Sequence, residues 1–188
     1  ILARLFFEPH DLGLYSAASS VARIIFFVTA SVAGVLIASV KLNEKSDINF
    51  GILVKSLGLL GLIGGVGLLA FIATPQFFVK LLVGENYVAG ATMLPLLSVV
   101  MFLCSVNNLL AIYQIALRKY LATIPVVAGV VVLAVGLALF HANFTEFITV
   151  LLAANATVFV LLSIEILVEK KRGYLYGERD VVSRTAKL

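Results

Sequence analysis

The chain has 188 residues, of which 62% are hydrophobic and 13% charged, with a formal net charge of +4. A water-soluble domain keeps roughly a quarter of its residues charged, so this composition excludes a soluble globule and makes the lipid bilayer the main partner of the surface. The basic excess sits in short clusters beside apolar runs, not on a face interleaved with aromatics, which argues against nucleic acid.

The first element is FFEPHDLGLYSAASSVARIIFFV, Phe6 to Val28. Ile1 in place of a methionine predicts a fragment or a processed product. Residues 1–14 read as an outer-face interfacial segment. Glu8 and Asp11 suit the positive end of the helix dipole that follows, and Pro9 and Gly13 are expected to break the chain before that helix begins. Span A then runs from about Tyr15 to Val40, with Arg23 about 12 Å into it at helical rise.

Span B covers about Phe50 to Ala73 and holds Gly58, Gly61, Gly64, Gly65 and Gly67. Gly61 and Gly65 have the small-xxx-small spacing of close helix packing; such a run also bends cheaply, so Gly58, Gly61 and Gly65 are candidates for packing or for a hinge. The connection after B places Phe77, Phe78, Leu81 and Leu82 at helical spacing, which predicts a short helix lying in the outer interface. Span C runs from about Ala91 to Leu117, span D from about Leu121 to Phe140, and span E from about Phe147 to Val168. None of these runs alternates as a barrel strand would. The predicted fold class is all-α: a polytopic transmembrane helical bundle with five spanning helices in residues 15–168, then a basic tail in residues 169–188.

Counting charge assigns sides. If each span crosses once, all of the 14 Lys and Arg except Arg4, Arg23 and Lys80 fall on one side. The positive-inside rule makes that side cytoplasmic, so the C-terminus is inside and the expected location is the cytoplasmic (inner) membrane, crossed several times.

The chain carries no HExxH, GxSxG or GxxxxGK[ST] motif. Cys104, the single cysteine, allows neither a disulfide framework nor a cysteine metal site. His10 and His141 lack partners at ligand spacing, and no carboxylate pair lies at depth for acid–base work. The reading is therefore not an enzyme, with no metal and no cofactors. Lys55 and Glu165 lie near span ends and can snorkel. Arg23 is deeper, and a charge at depth points to function; its guanidinium suits bidentate contact with phosphate. Asn107, Asn108 and Asn155 are either interhelical glue or, with Arg23, the wall of one polar path. Pro95 and Pro125, near the starts of spans C and D, need no function.

The opening stretch also resembles the polysaccharide (lipid-linked oligosaccharide) flippases of the multidrug/oligosaccharidyl-lipid/polysaccharide exporter superfamily. Gly13, Tyr15, Ser16, Ala17 and Ala18 fit the family's "GxYsaA" helix start, and FFVKLLVGENYVAGATMLPLL, with Gly84, Glu85, Tyr87, Ala89, Pro95 and Leu96, is similar to its re-entry into a later helix. The family has two six-helix lobes around a central cavity. The resemblance implies that the five spans correspond to helices 8–12 and that the N-terminal lobe of the same protein is missing. It implies alternating access moving a polyprenyl-pyrophosphate-linked glycan. Many relatives carry a proline near the inner end of span A, where this chain has Ala38-Ser39-Val40, and the family transfers no site to Arg23 or the asparagines. Two further readings stay open: a drug or lipid II exporter of the same superfamily, and a self-contained five-helix scaffold that binds a partner without transport.

Overall fold

The computed structural model describes residues 9–40, 46–117, 123–140 and 143–185. Its elements are α1 (Pro9–Ser39), α2 (Ser46–Ala73), α3 (Pro75–Leu82), a 3-10 segment (Glu85–Met93), α4 (Leu94–Ala116), α5 (Thr123–Leu139) and α6 (Phe144–Thr185). No strand occurs among the described residues. Four stretches are long and apolar enough to cross a bilayer: His10–Ser39, Ile48–Ala73, Glu85–Ala116 and Phe144–Val168. The chain is a multi-pass helical membrane protein. α5 has 17 described residues, about 25 Å at helical rise, against a hydrocarbon core of about 30 Å.

Two boundaries differ from expectation. α1 begins at Pro9, six residues before the predicted start, and takes Gly13 into its first turns. Proline fits a first helical position because its missing N–H would lack an intrahelical partner there. Asp11 lies in that first turn as expected. Glu8 and ILARLFF lie outside the described residues. At the other end α6 has 42 residues and carries the backbone of the basic tail on as helix to Thr185; the Glu, Lys and Arg of that stretch are good helix formers.

Paired contacts give the directions. Gly90, just before α4, sits against Leu14 near the start of α1, and farther along Thr29 meets Ser105, so α1 and α4 run parallel. Asn107 meets Asn155 and Tyr15 stacks on Phe144, so α6 runs with them. α2 is antiparallel, with Gly64 facing Thr29 and Gly67 facing Ile25, and α5 is antiparallel to α6, with Gly129 facing Val158 and Gly136 facing Val150. α4 is the central helix, packed on α1, α2 and α6, while α5 packs on α6.

Lipid tails are as apolar as leucine, so these helices associate through van der Waals fit, small residues and interhelical hydrogen bonds. One apolar cluster, around Ala18, Val21, Leu94, Leu97 and Ile148, fills the end of the bundle that carries α3. A second, around Leu36, Leu53, Leu109 and Leu162, fills the far half. Between them the Thr29 hydroxyl donates to Ser105 Oγ (2.8 Å), and Ser105 donates to the Met101 carbonyl (2.9 Å). The close approach of α2 is through Gly64, where a Cβ would stand 2.9 Å from the Phe102 ring and 3.0 Å from the Thr29 methyl. Gly58, Gly61 and Gly65 have no atom within 4 Å of where a Cβ would be. The small-xxx-small spacing thus lies beside the contact glycine and not on it.

The two stretches that carry the family resemblance meet at the α3 end. Tyr15 stacks on Phe144 (centroids 5.5 Å apart) and meets Phe147 edge-on (5.7 Å), with Ala17 and Ala18 buried beside it. Gly84 turns the chain from α3 into the 3-10 segment at φ 115°, a conformation open essentially to glycine alone. Gly90 then brings the 3-10 segment onto the α1 backbone. Pro95 occupies the first turn of α4, and Tyr87 is exposed.

Candidate functional site

α1 buries one side of its cylinder through Ala18, Ala22, Ile25, Thr29, Ala33 and Leu36. Its opposite side is exposed and carries Ser16, Ser20, Arg23, Phe27, Ser31 and Gly34, spaced three or four residues apart along one line of the helix. The exposed faces of α2 and α5 differ in chemistry. α2 shows Val54, Leu59, Leu62, Val66, Leu69 and Ile72, and α5 shows Ile124, Val127, Val130, Val131, Val135 and Leu139. The back of α1 thus carries a line of mostly small and polar side chains with one arginine, broken by Phe27, while α6 carries a shorter line of Thr145, Thr149 and Ala153 near its start.

Its serines satisfy themselves locally: Ser20 donates to the Ser16 carbonyl (2.8 Å) and Ser31 to the Val28 carbonyl (2.9 Å). Arg23 has no such outlet. It makes no hydrogen bond or ion pair among the described residues. Because α1 starts at Pro9 and ends at Ser39, Arg23 sits beside the helix midpoint, deeper than a start at Tyr15 would put it. Lys55 is exposed on α2, within the first turns of that helix.

The asparagines separate. Asn107 is only 7% exposed, and its Nδ2 donates to the backbone carbonyl of Asn155 (2.9 Å) and lies 3.4 Å from Asn155 Oδ1. Asn155 Nδ2 in turn donates to the Leu151 carbonyl (2.9 Å). This pair is a clasp between α4 and α6. Asn108 is half-buried and points elsewhere. On α4, Ser105 faces α1, Phe102 faces α2 and Asn107 faces α6. At roughly 100° per residue the remaining sector holds Cys104, Asn108, Ala111 and Ile115, and Ile115 is the one exposed residue of this helix. Arg23 and Asn108 therefore stand on open faces, while Asn107 and Asn155 are engaged with each other.

Asn107→Ala is expected to lower stability by about 1 kcal/mol, within the range of interhelical hydrogen bonds in membranes, whereas Asn108→Ala is expected to change it by less than about 0.5 kcal/mol. Unfolding midpoints of the two variants in detergent check this; equal losses would contradict the division of roles.

Three enclosed polar atoms lack a partner among the described residues: Asn107 Oδ1, Gln114 Nε2 and Glu165 Oε2. Gln114 follows Asn107 by two turns on the same side of α4 and is 2% exposed, so the α4–α6 seam is more polar than the sequence suggests. Glu165 is half-buried with one oxygen enclosed. No group of three His, Cys, Asp or Glu residues suited to a metal occurs among the described residues.

Compared with known proteins, the chain matches no family model, no curated protein and no solved structure.

Proposed function

We propose that this chain is part of a membrane transporter, the C-terminal lobe of a flippase that moves polyprenyl-pyrophosphate-linked polysaccharide units across the cytoplasmic membrane by alternating access. The observation that carries the reading is the back of α1. An arginine beside the midpoint of a spanning helix, on a line that also holds three serines and a glycine, is poorly suited to acyl chains and well suited to a hydrated cavity closed by a second lobe. In this reading α5 completes a fifth crossing, the α3 end is outside and the C-terminus inside, as the distribution of basic residues indicates. Arg23 contacts the phosphates of the head group, Asn108 belongs to the cavity wall, and the lipid tail stays in the bilayer. The packing of the two resemblance-bearing stretches against each other adds support, because it gives Gly13–Ala18 and Gly84–Pro95 one shared structural role.

The test is water accessibility along α1. In a Cys104→Ala background, single cysteines at Ser20 and Ser31 are expected to react with a membrane-impermeant maleimide in proteoliposomes, with rates that change when substrate is added. Cysteines at Leu62 and Val130 are expected to stay unreactive. If Ser20 and Ser31 behave like Leu62 and Val130, no hydrated cavity runs along α1. The Asn107–Asn155 clasp favours a second reading, a packed five-helix scaffold, and that outcome would leave it in place.

A further inference from the structure

The short α3 helix presents three chemically distinct sides. Val79 is fully buried against the bundle, and Phe78 packs edge-on against Phe71 of α2 (centroids 4.7 Å apart). Gln76 and Lys80, one turn apart, form an exposed polar side. Phe77 and Leu81, also one turn apart and roughly 100° around the helix from them, are 58% and 65% exposed. Helix α2 arrives at this point with Leu69 and Ile72 exposed, and the chain turns at Thr74-Pro75 directly into α3. The exposed apolar side of α3 thus follows in the chain directly on the exposed apolar end of a membrane-spanning helix.

We propose that α3 is seated in the membrane interface at its end of the bundle, with Phe77 and Leu81 inserted among the lipids and Gln76 and Lys80 turned to water. The partner is the headgroup–acyl boundary of the bilayer, and its headgroup charge does not matter. Lys80 is ion-paired with Glu85, so the cation that would otherwise select anionic lipid is neutralised within the segment, and burial of apolar side chains drives the seating. The 3-10 segment rests on α1 through the contact of Gly90 with Leu14. The seated segment therefore holds the end of α1 at a fixed depth, and with it Arg23. This inference does not depend on the transport reading.

The chain contains no tryptophan, so one introduced indole reports alone. Phe77→Trp, Leu81→Trp and Gln76→Trp would be made in the full chain and reconstituted in phosphatidylcholine vesicles. Lipids brominated near the top of the acyl chain are expected to quench the first two at least about threefold more than the third, with aqueous iodide showing the reverse order. Adding phosphatidylglycerol is expected to leave the lipid quenching unchanged. Iodide reaching positions 77 and 81 as readily as 76 would overturn the seating. Protection of 77 and 81 from both quenchers would show that a protein surface covers them instead. A strong dependence on phosphatidylglycerol would overturn the neutral-lipid assignment.

Discussion

Gly90→Ala is expected to lower the unfolding midpoint of the purified protein in detergent by about 2–12 °C. A Cβ at this position would stand 2.7 Å from the Leu14 carbonyl oxygen and 3.2 Å from its carbon. Those are backbone atoms of a helix, which cannot rotate aside as the end of a side chain can. Relief requires the whole 3-10 segment to lift from α1, and with it the start of α4. Overpacking of this kind costs about 1–3 kcal/mol, and a chain of this size shifts by about 2–4 °C per kcal/mol. Gly58→Ala supplies the opposite sign. No atom lies within 4 Å of its added methyl, and alanine is favoured over glycine inside a helix by about 1 kcal/mol. That variant should be as stable as the parent or more so. If both substitutions destabilise equally, the close seating of the 3-10 segment on α1 is wrong.

The contrast between these glycines shows what the sequence can and cannot carry. Long apolar runs reveal helices because a bilayer demands about 20 such residues and full internal hydrogen bonding. The approximate extents of α1, α2, α4 and α6 were legible for that reason. Helix ends were less so, since Pro9 fits a first turn as readily as a break, and the polar residues after Val168 do not oblige a helix to stop. Rotational position was not legible. Span B has five glycines close together, and which of them meets a neighbour depends on how α2 is turned about its axis. The answer is Gly64, with Gly67 beyond it, and neither was chosen on spacing.

The same limit separates Asn107 from Asn108. Adjacent residues on a helix point roughly 100° apart, so one reaches α6 and the other an open sector, a difference set by the packing of α4 among three helices. The partner of Asn107 is 48 residues away in sequence, and no local pattern announces it. Arg23 announced its place inside a span, but not its full depth, which the earlier start of α1 increases, nor its direction. α1 is apolar on several sides, with Ile24, Val28 and Val35 exposed as well, so periodicity alone does not say which side holds the core. Once Ala18, Ala22, Ile25 and Leu36 define that side, Arg23 falls opposite it.

Under the flippase reading, substituting Arg23 is expected to separate transport from folding. The side chain is exposed and makes no hydrogen bond or ion pair among the described residues, so Arg23→Ala should change stability by no more than about 0.5 kcal/mol. A hydrogen bond to a charged group contributes about 1.5–3 kcal/mol, and tenfold in an equilibrium constant corresponds to about 1.4 kcal/mol. Under the flippase reading, with phosphate as the partner, Arg23→Ala should therefore reduce translocation of a polyprenyl-pyrophosphate-linked glycan by about 10–100-fold. Arg23→Lys keeps the charge but loses the planar fork that engages two phosphate oxygens at once, and should retain an intermediate rate. Arg23→Glu should abolish transport by repelling the phosphates. The measurement is glycan translocation into proteoliposomes containing the whole transporter, alongside the unfolding midpoint of each variant. Full activity in Arg23→Glu would remove the phosphate-contact role and leave the serine-lined face of α1 as a helix-packing surface. Loss of activity together with a large fall in midpoint would instead assign Arg23 to the structure of the bundle, against its exposed position on α1.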